Sequence, residues 1–160
     1  MIEVRDLHKS FGAKRAVDGV SFRARDGEIT GLLGPNGAGK TTTLRMLYTL
    51  MRPDAGSVLI DGLDAVHQPL AVRRTIGVLP DARGIYKRLT ARENIEYFAA
   101  LQGMDARAAR AACDALIATL AMQEISGRRT EGFSQGERVK TAIARAAPRP
   151  CRRPPRGRGR

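Results

Sequence analysis

Two stretches near the start of the chain alternate apolar and polar residues. They are residues 2–7 and 17–22, and a turn is expected between them at Gly12, Ala13 and Lys14. Strict alternation puts successive side chains on opposite faces, which predicts half-exposed strands. The short turn predicts that these two strands pair antiparallel.

Further along, compact apolar runs alternate with helical patterns. The runs at residues 29–33, 57–60 and 75–79 predict strands, and a short helix is expected at residues 70–74. A helix after residue 40 should present Leu44, Leu47 and Met51 on one face. The recurrence of strand, helix and strand predicts an α/β fold.

The second half of the chain is predicted to be helical. Thr90 and Glu93 have the spacing of a capping box, so a helix should run to about Gln102, where Gly103 ends it. An alanine-rich helix should follow at residues 106–120. Ser134 and Glu137 repeat the capping-box spacing and predict a third helix that ends near residue 146.

Residues 34–41 match the phosphate-loop pattern G-x-x-x-x-G-K-[ST] at every position. The motif and the residue after it are Gly34, Pro35, Asn36, Gly37, Ala38, Gly39, Lys40, Thr41 and Thr42. The apolar run before the motif and the helix after it are the context in which this pattern binds phosphate. The plain alternative is a glycine turn that joins a strand to a helix.

The residue types of this motif suit a nucleoside triphosphate. Glycines let several backbone N–H groups converge on phosphate oxygens, and a helix N-terminus adds the positive end of its dipole. Lys40 can reach the β- and γ-phosphates, and the Thr41 hydroxyl can bind Mg²⁺. A triphosphate and Mg²⁺ are therefore the expected ligands.

Composition excludes several other classes of protein. The chain has 42% hydrophobic residues, enough for a core, but it has no apolar stretch of transmembrane length and no signal-peptide pattern, so we expect a cytosolic location. Cys113 and Cys151 lie far apart, and His8 and His67 share no metal-ligand spacing with them. These residues predict neither a disulfide nor a zinc site.

The net charge of +12 is unevenly distributed. Residues 147–160 contain six arginines and no acid, so half of the excess charge lies in this Arg/Pro/Gly-rich tail. Such a composition is expected to be disordered. Two origins stay open: a shifted reading frame in GC-rich DNA, or an arginine tail that binds RNA.

Residues 1–146 resemble, in motif order and spacing, the ATP-binding subunit of an ABC transporter. Phe11 stands where that family places the aromatic residue that stacks on adenine, although a packing role for Phe11 is equally open from the residues alone. The segment that ends at Asp81 corresponds to the family segment that ends in the Q-loop glutamine, so Asp81 stands at the position of that glutamine. The sequences of residues 79–84 and 89–94 are most similar to those of subunits of the sodium-extrusion type.

A variant of the family signature Leu-Ser-Gly-Gly-Gln stands at residues 133–137. It contains Ser134, Gln135, Gly136 and Glu137, which the resemblance assigns to the ATP bound by a partner subunit. Ser134 and Gly136 are the two signature residues retained. The alternative is an ordinary capped helix.

The resemblance implies a phosphate-loop NTPase core with antiparallel strands at its start, a helical insert at about residues 82–146 and an incomplete parallel sheet. It also implies bound ATP, Mg²⁺ held by Thr41 and Asp81, a transmembrane permease subunit and a second ATP-binding subunit as partners. No nucleic acid is expected as a partner. The subunit should lie in the cytoplasm, held peripherally on the inner face of the membrane through its partner.

The family pattern after the signature is absent from this sequence. The strand that ends in Asp-Glu and the later histidine are not found, so we expect a C-terminally truncated chain that binds ATP but hydrolyses it slowly and is poorly soluble. No catalytic base is identified; Asp81 is a candidate Q-loop equivalent, and Asp81 and Glu137 are the nearest substitutes for the base. The competing hypothesis is a nucleic-acid-binding or regulatory phosphate-loop protein that uses the arginine tail.

Overall fold

A computed structural model of the chain describes residues 1–79 and 84–147. It divides these residues into two compact units, one formed by Met1–Ile76 and one that begins at Gly77. Asp81 and residues 148–160 of the arginine-rich tail lie outside the described residues. Within the described part of the chain, no helix combines the length and the apolar character needed to cross a membrane.

The first unit contains a four-stranded antiparallel sheet. Its strands are β1 (Ile2–Phe11), β2 (Lys14–Ala24), β3 (Ala55–Ile60) and β4 (Leu63–Asp64), in the spatial order β2-β1-β3-β4. The predicted hairpin is confirmed, because β1 pairs with β2 around the turn at Gly12 and Ala13. β1 is central, since its other edge pairs with β3 in the register Val4 to Val58.

Two helices, α1 (Lys40–Leu47) and α2 (Pro69–Arg73), belong to this unit. Its core is a cluster of buried apolar side chains drawn from the sheet and both helices. The cluster is formed by Val4, Leu7, Val17, Met46, Leu47, Val58, Ile60, Ala65 and Val72. Each fully buried Val, Leu or Met contributes roughly 1.5–3 kcal/mol, so this cluster fixes α1 against the sheet.

The predicted strands at residues 29–33 and 75–79 are wrong. Neither segment is a strand, and no parallel pair occurs among the described strands, so the predicted parallel sheet is not seen there. Ile29 and Leu33 are almost fully exposed. A strand exists only where a neighbour pairs with its backbone, and no described strand pairs with either run.

The predicted apolar face of α1 is partly wrong. Leu47 is buried and Met51 packs against the core, but Leu44 is 48% exposed and Met46 is buried instead. The helix ends at Leu47 rather than continuing to residue 51. Met51 therefore follows the helix, and its direction is not set by the helical repeat.

The second unit is helical, as predicted. It contains α3 (Ala91–Leu101), α4 (Ala106–Thr119), a short 3-10 helix (Thr130–Gly132) and α5 (Gln135–Ala146). The capping boxes of Thr90 with Glu93 and of Ser134 with Glu137 are both present. The core of this unit is built from Ala91, Ile95, Cys113, Ile117, Met122, Ile125, Phe133 and Ala144.

Four polar side chains are buried within this helical unit, namely those of Asn94, Thr130, Thr141 and Arg145. Asn94 bridges the loop before α3, since its amide exchanges hydrogen bonds with the backbone of Tyr86 at 3.0 and 3.1 Å. The guanidinium of Arg145 donates to the Gly84 carbonyl at 2.5 Å and lies 4.4 Å from the centre of the Phe98 ring. Burial lowers the pKa of Arg145, and burial also raises the pKa of the Cys113 thiol to about 11, so Cys113 is an unreactive core residue.

Candidate nucleotide-binding site

The phosphate-loop residues form an exposed loop that ends at the N-terminus of α1. Gly37 and Gly39 adopt φ values of +85° and +80°, a left-handed conformation that favours glycine. Gly39 also lies against β2, because a Cβ there would be 2.2 Å from the Ala16 carbonyl oxygen and 3.1 Å from Val17 Cγ2. This close approach fixes the loop beside the second strand.

Backbone donors at the loop and at the start of α1 are available to a ligand. Within residues 1–79 and 84–147, no group accepts a hydrogen bond from the N–H of Gly37, Gly39, Lys40, Thr41 or Thr42. The N-cap residue Gly39 supplies no side-chain cap, and the first turn of α1 contains no acid. Free N–H groups and an uncompensated helix dipole together favour an anion at this end of α1.

The Lys40 side chain folds back over the loop. Its ammonium donates hydrogen bonds to the carbonyl oxygens of Gly34 at 2.6 Å and Pro35 at 2.7 Å. The cation is therefore held at the loop without a carboxylate partner among the described residues. Phosphate oxygens would compete for a donor already placed at the site, which is the role predicted for Lys40.

The residues at the start of α1 fit a Mg²⁺ ion that accompanies a triphosphate. Thr41 is exposed, and its hydroxyl forms no hydrogen bond with any residue described. A free hydroxyl beside open N–H groups can supply one oxygen ligand, while Mg²⁺ takes most of its other ligands from phosphates and water. Asp81, the second predicted ligand, lies outside the described residues.

Phe11 ends β1 and is 49% exposed. It does not belong to the core cluster of its unit, which argues against the packing role left open by the sequence. Phe11 pairs with Lys14 across the hairpin, and Ala16, which touches Gly39, lies two residues further along β2. At about 3.3 Å per residue, this puts the backbones of Phe11 and the loop roughly 7 Å apart along the strand direction.

Two residues beside Phe11 escaped the sequence analysis. Lys9 and Asp54 form an ion pair at 2.5 Å, and the Lys9 ammonium is 5.9 Å from the centre of the Phe11 ring. Lys9 could have been noticed from the sequence, because residues two apart on a strand share a face. Asp54 gives no such signal, since it lies 45 positions away in a turn.

The signature residues form the N-terminus of α5. Ser134 is the N-cap; its hydroxyl oxygen accepts from the Glu137 N–H at 3.3 Å, and the Glu137 carboxylate accepts from the Ser134 N–H at 2.7 Å. The N–H groups of Gln135 and Gly136 find no acceptor among the described residues, and both residues are exposed. The four predicted residues are thus brought together at one exposed helix end.

Glu137 has a partner that sequence reasoning missed. The Arg128 guanidinium lies 3.0 Å from the Glu137 carboxylate and 5.5 Å from the centre of the Phe133 ring. The backbone and hydroxyl of Ser134, followed by Arg128, lower the pKa of Glu137. The residue that replaces the usual glutamine is therefore ionised near neutral pH, and its charge is offset by Arg128.

The chain belongs to the ABC transporter family, whose sequence model matches residues 17–151. This match confirms the resemblance derived from the motifs. The α/β class is likewise confirmed by solved structures of ATP-binding domains. One is the ATP-binding subunit of an ABC transporter, with a TM-score of 0.79, 28% identity, and coverage of 91% of this chain and 61% of that chain.

A second solved structure is a dimeric ATP-binding cassette in a post-hydrolysis state with ADP and Pi. Its TM-score is 0.76 at 25% identity, and the match covers 92% of this chain and 69% of that one. The loop and the α5 N-terminus described above thus occur in a fold that, in that protein, holds nucleotide in a dimer.

Two related proteins are also named as ATP-binding proteins. The chain is 43% identical over 151 residues to the ABC transporter ATP-binding protein NatA of Bacillus subtilis, which covers 91% of this chain and 61% of NatA. It is 39% identical over 143 residues to the daunorubicin resistance ATP-binding protein DrrA3 of Streptomyces coeruleorubidus, which covers 89% of this chain and 45% of DrrA3. The chain thus spans about half to three fifths of the length of these relatives.

Proposed function

We propose that this chain is an ATP-binding subunit that couples the binding and hydrolysis of MgATP to transport through a membrane partner. The phosphate loop carries the proposal. Its free N–H groups, the ammonium of Lys40 and the uncapped start of α1 converge on one exposed place and suit a triphosphate. Thr41 would bind Mg²⁺, and Phe11 would stack on adenine.

The signature residues support a role for a second subunit. In this proposal the N-terminus of α5 faces the γ-phosphate of ATP bound by the partner copy, with the Ser134 hydroxyl and the Gly136 N–H as donors. Both groups are exposed and available. Two copies would then enclose two nucleotides, and closure and opening of the pair would drive the membrane subunit.

The membrane partner would hold the subunit on the cytoplasmic face and would select the solute. Similarity to NatA, together with the resemblance of residues 79–84 and 89–94 to the sodium-extrusion type, favours an exporter. In hydrolysis, Lys40 would hold the transferring phosphate and Asp81 would reach Mg²⁺ through water. Positioning and charge stabilisation by these groups are the main contributions of a protein to phosphoryl transfer.

Isothermal titration of MgATP into the full chain tests this proposal. Replacing Lys40 by alanine removes the ammonium at the loop, and a charge-assisted contact of this kind is worth roughly 1.5–3 kcal/mol. The affinity should therefore fall about ten- to a hundredfold. Arg25→Ala is the matched control, because Arg25 is a 76% exposed cation of the same unit.

The control variant should bind like the unmodified chain. Equal affinities for the unmodified chain and Lys40→Ala would remove the loop as the binding site. Equal losses in Lys40→Ala and Arg25→Ala would show that net charge, not the loop, holds the nucleotide.

Phe11 is tested separately. Phe11→Ala should weaken ATP binding by roughly 1–3 kcal/mol if the ring stacks on adenine, while Phe11→Tyr should keep the affinity. An alanine variant that loses stability but binds ATP normally per folded molecule would assign Phe11 to packing after all.

A further inference from the structure

Stacking on a base requires an aromatic ring that is exposed and also held in place. Phe11 is the last residue of β1, directly before the turn of the hairpin, and about half of its surface is accessible. Strand ends with few contacts fray, so the hairpin alone gives this ring little support. The structure shows where additional support comes from.

Asp54 fastens the end of β1 through three hydrogen bonds to consecutive residues. Its carboxylate accepts from Lys9 Nζ at 2.5 Å and from the Ser10 N–H at 2.7 Å. Its own N–H donates to the His8 carbonyl oxygen at 2.9 Å. The hydrogen bonds from Lys9 and from the Ser10 backbone lower the pKa of the Asp54 carboxyl, and the bond from Lys9 has the larger effect. Asp54 is therefore ionised near neutral pH.

Asp54 belongs to the turn that connects α1 with β3. Immediately after it, Ala55 pairs with His8 and starts the ladder between β3 and β1. Before it, the N–H groups of Leu50 and Met51 donate to the Arg45 carbonyl oxygen and join the turn to the end of α1. The helix that begins at the phosphate loop is therefore connected through this turn to the backbone beside Phe11.

Lys9 determines which face of the ring stays free. Lys9 and Phe11 are two residues apart on β1 and share a face of the strand, and the Lys9 ammonium lies 5.9 Å from the ring centre. The Lys9 side chain is only 17% exposed, whereas Asp54 is 47% exposed. The ion pair thus holds the Lys9 ammonium over one face of the Phe11 ring, while the residue as a whole stays 49% exposed.

We propose that Asp54 is a positioning residue that, by holding Lys9 and the Ser10 backbone, orients Phe11 so that the ring face opposite Lys9 stacks on the adenine of ATP. This inference rests on the proposed function, because it refines how that site recognises the base. In this proposal Asp54 acts on the base through Phe11, because its carboxylate contacts Lys9 and Ser10 and none of the phosphate-loop residues.

The chain contains no tryptophan, so Phe11→Trp introduces a single fluorescent reporter at the position in question. ATP should quench this fluorescence, whereas inorganic tripolyphosphate, which has no base, should bind without quenching. Adding Asp54→Asn should reduce the ATP quench and the ATP affinity by about three- to tenfold, the effect of one lost positioned contact. The affinity for tripolyphosphate should stay within about twofold of the parent.

Asp61→Asn is the matched control. Asp61 is an exposed aspartate of the same unit that forms an ion pair with the N-terminus at 2.5 Å, so the variant makes the same chemical change away from Phe11. It should leave both affinities and the quench unchanged. Asp54→Glu, which keeps the charge, should restore part of the quench.

Three results would overturn the proposal. The first is an Asp54→Asn variant that behaves like Asp61→Asn. The second is a parallel loss of ATP and tripolyphosphate affinity, which would indicate a general structural role. The third is an unchanged ratio of the two affinities when Asp54→Asn is measured by calorimetry with Phe11 intact. Failure of the proposed function looks different, because then Lys40→Ala would bind ATP and tripolyphosphate as well as the unmodified chain does.

Discussion

The N-termini of α1 and α3 show two ways in which a helix deals with its first N–H groups. In α3 all four are satisfied, since Ala91, Arg92, Glu93 and Asn94 donate to Arg128, Ser126 and Thr90 at 2.9–3.2 Å. In α1 only the N–H of Thr43 finds an acceptor, the Gly39 carbonyl, at 2.8 Å, among the described residues. The N–H groups of the first end are satisfied by the protein itself, whereas the second end leaves three N–H groups available to water or to an anion.

The difference follows from the residues at each end. α3 starts with Thr90 and Glu93, whose side chains close a capping box and add a negative charge, while α1 starts after a glycine and has no acid in its first turn. α5 lies between them: it has the same capping box as α3 but leaves the N–H groups of Gln135 and Gly136 open. Openness alone does not mark a site, because α4 also leaves its first two N–H groups without a described acceptor.

The largest expected effect comes from giving α1 the charge of α3. Thr42→Glu places a carboxylate at the third position of α1, where it should leave the helix as stable as before, because the dipole favours an acid there. The same charge repels a triphosphate by about 4 kcal/mol at 4 Å in a partly exposed site, so MgATP affinity should drop about a hundredfold or more. Calorimetry of both variants checks this, with Thr42→Gln as the neutral control. Equal MgATP affinities would show that a negative charge at the start of α1 does not affect binding.

The next effect concerns the close approach of Gly39 to β2. Gly39→Ala and Gly62→Ala start from the same φ of +80°, but only at Gly39 would the new Cβ meet another atom, the Ala16 carbonyl oxygen. Both variants should lose roughly 1–2 kcal/mol from backbone strain, and Gly39→Ala should lose at least about 1 kcal/mol more. Urea unfolding measures the difference. Equal losses would show that the loop does not rest against β2.

A smaller effect distinguishes α5 from α3. Thr90→Ala and Ser134→Ala each remove one N-cap hydrogen bond and should each cost about 1 kcal/mol of stability. Only Ser134→Ala should also weaken ATP-dependent self-association in analytical ultracentrifugation, because only α5 is proposed to face a partner's nucleotide. If neither variant changes association, α5 is an ordinary capped helix.

The smallest effect is a dependence on pH. Backbone hydrogen bonds from Thr90 and Ser134 lower the pKa of Glu93 and Glu137 below 4.5, so the caps stabilise the fold fully above about pH 4.5. That stabilisation is lost as the pH falls through the lower folded-state values. Compared with the unmodified chain, Glu137→Gln should therefore flatten the loss of stability as the pH falls below about 4.5. A stability curve for Glu137→Gln that stays parallel to that of the unmodified chain would contradict this assignment.

Local signals explain which parts of the fold could be predicted. The hairpin of β1 and β2 and the helices α3 and α5 were predictable, because alternation, a short turn and capping boxes act between residues close in sequence. The predictions of strands at 29–33 and 75–79 were wrong because an apolar run does not indicate which strand will pair with it. The prediction that Leu44 is buried was wrong because α1 is shorter than three turns, and periodicity over so few residues does not determine which face is buried.

The residues of the candidate site also differ in whether a local sequence signal reveals them. The phosphate loop is one continuous motif, so it was recognised from its own residues. The Ser134 cap was predicted from its spacing to Glu137, and the proposed role of Phe11 came from the family pattern. The pairs of Lys9 with Asp54 and of Arg128 with Glu137 join side chains that are distant in sequence or carry no motif. Such pairs become visible only in the folded structure, since charge pairing has no spacing rule outside a helix or a strand.

We propose that the open N–H groups at the start of α1 bind phosphate, whereas those at the start of α3 are already satisfied. Backbone amide NMR of the full chain, titrated with tripolyphosphate and then with MgATP, distinguishes these two helix ends. We predict that the amides of Gly37, Gly39, Lys40, Thr41 and Thr42 shift and saturate with both ligands, while those of Ala91, Arg92 and Glu93 do not move. Unchanged loop amides at ligand concentrations that saturate binding would contradict the account.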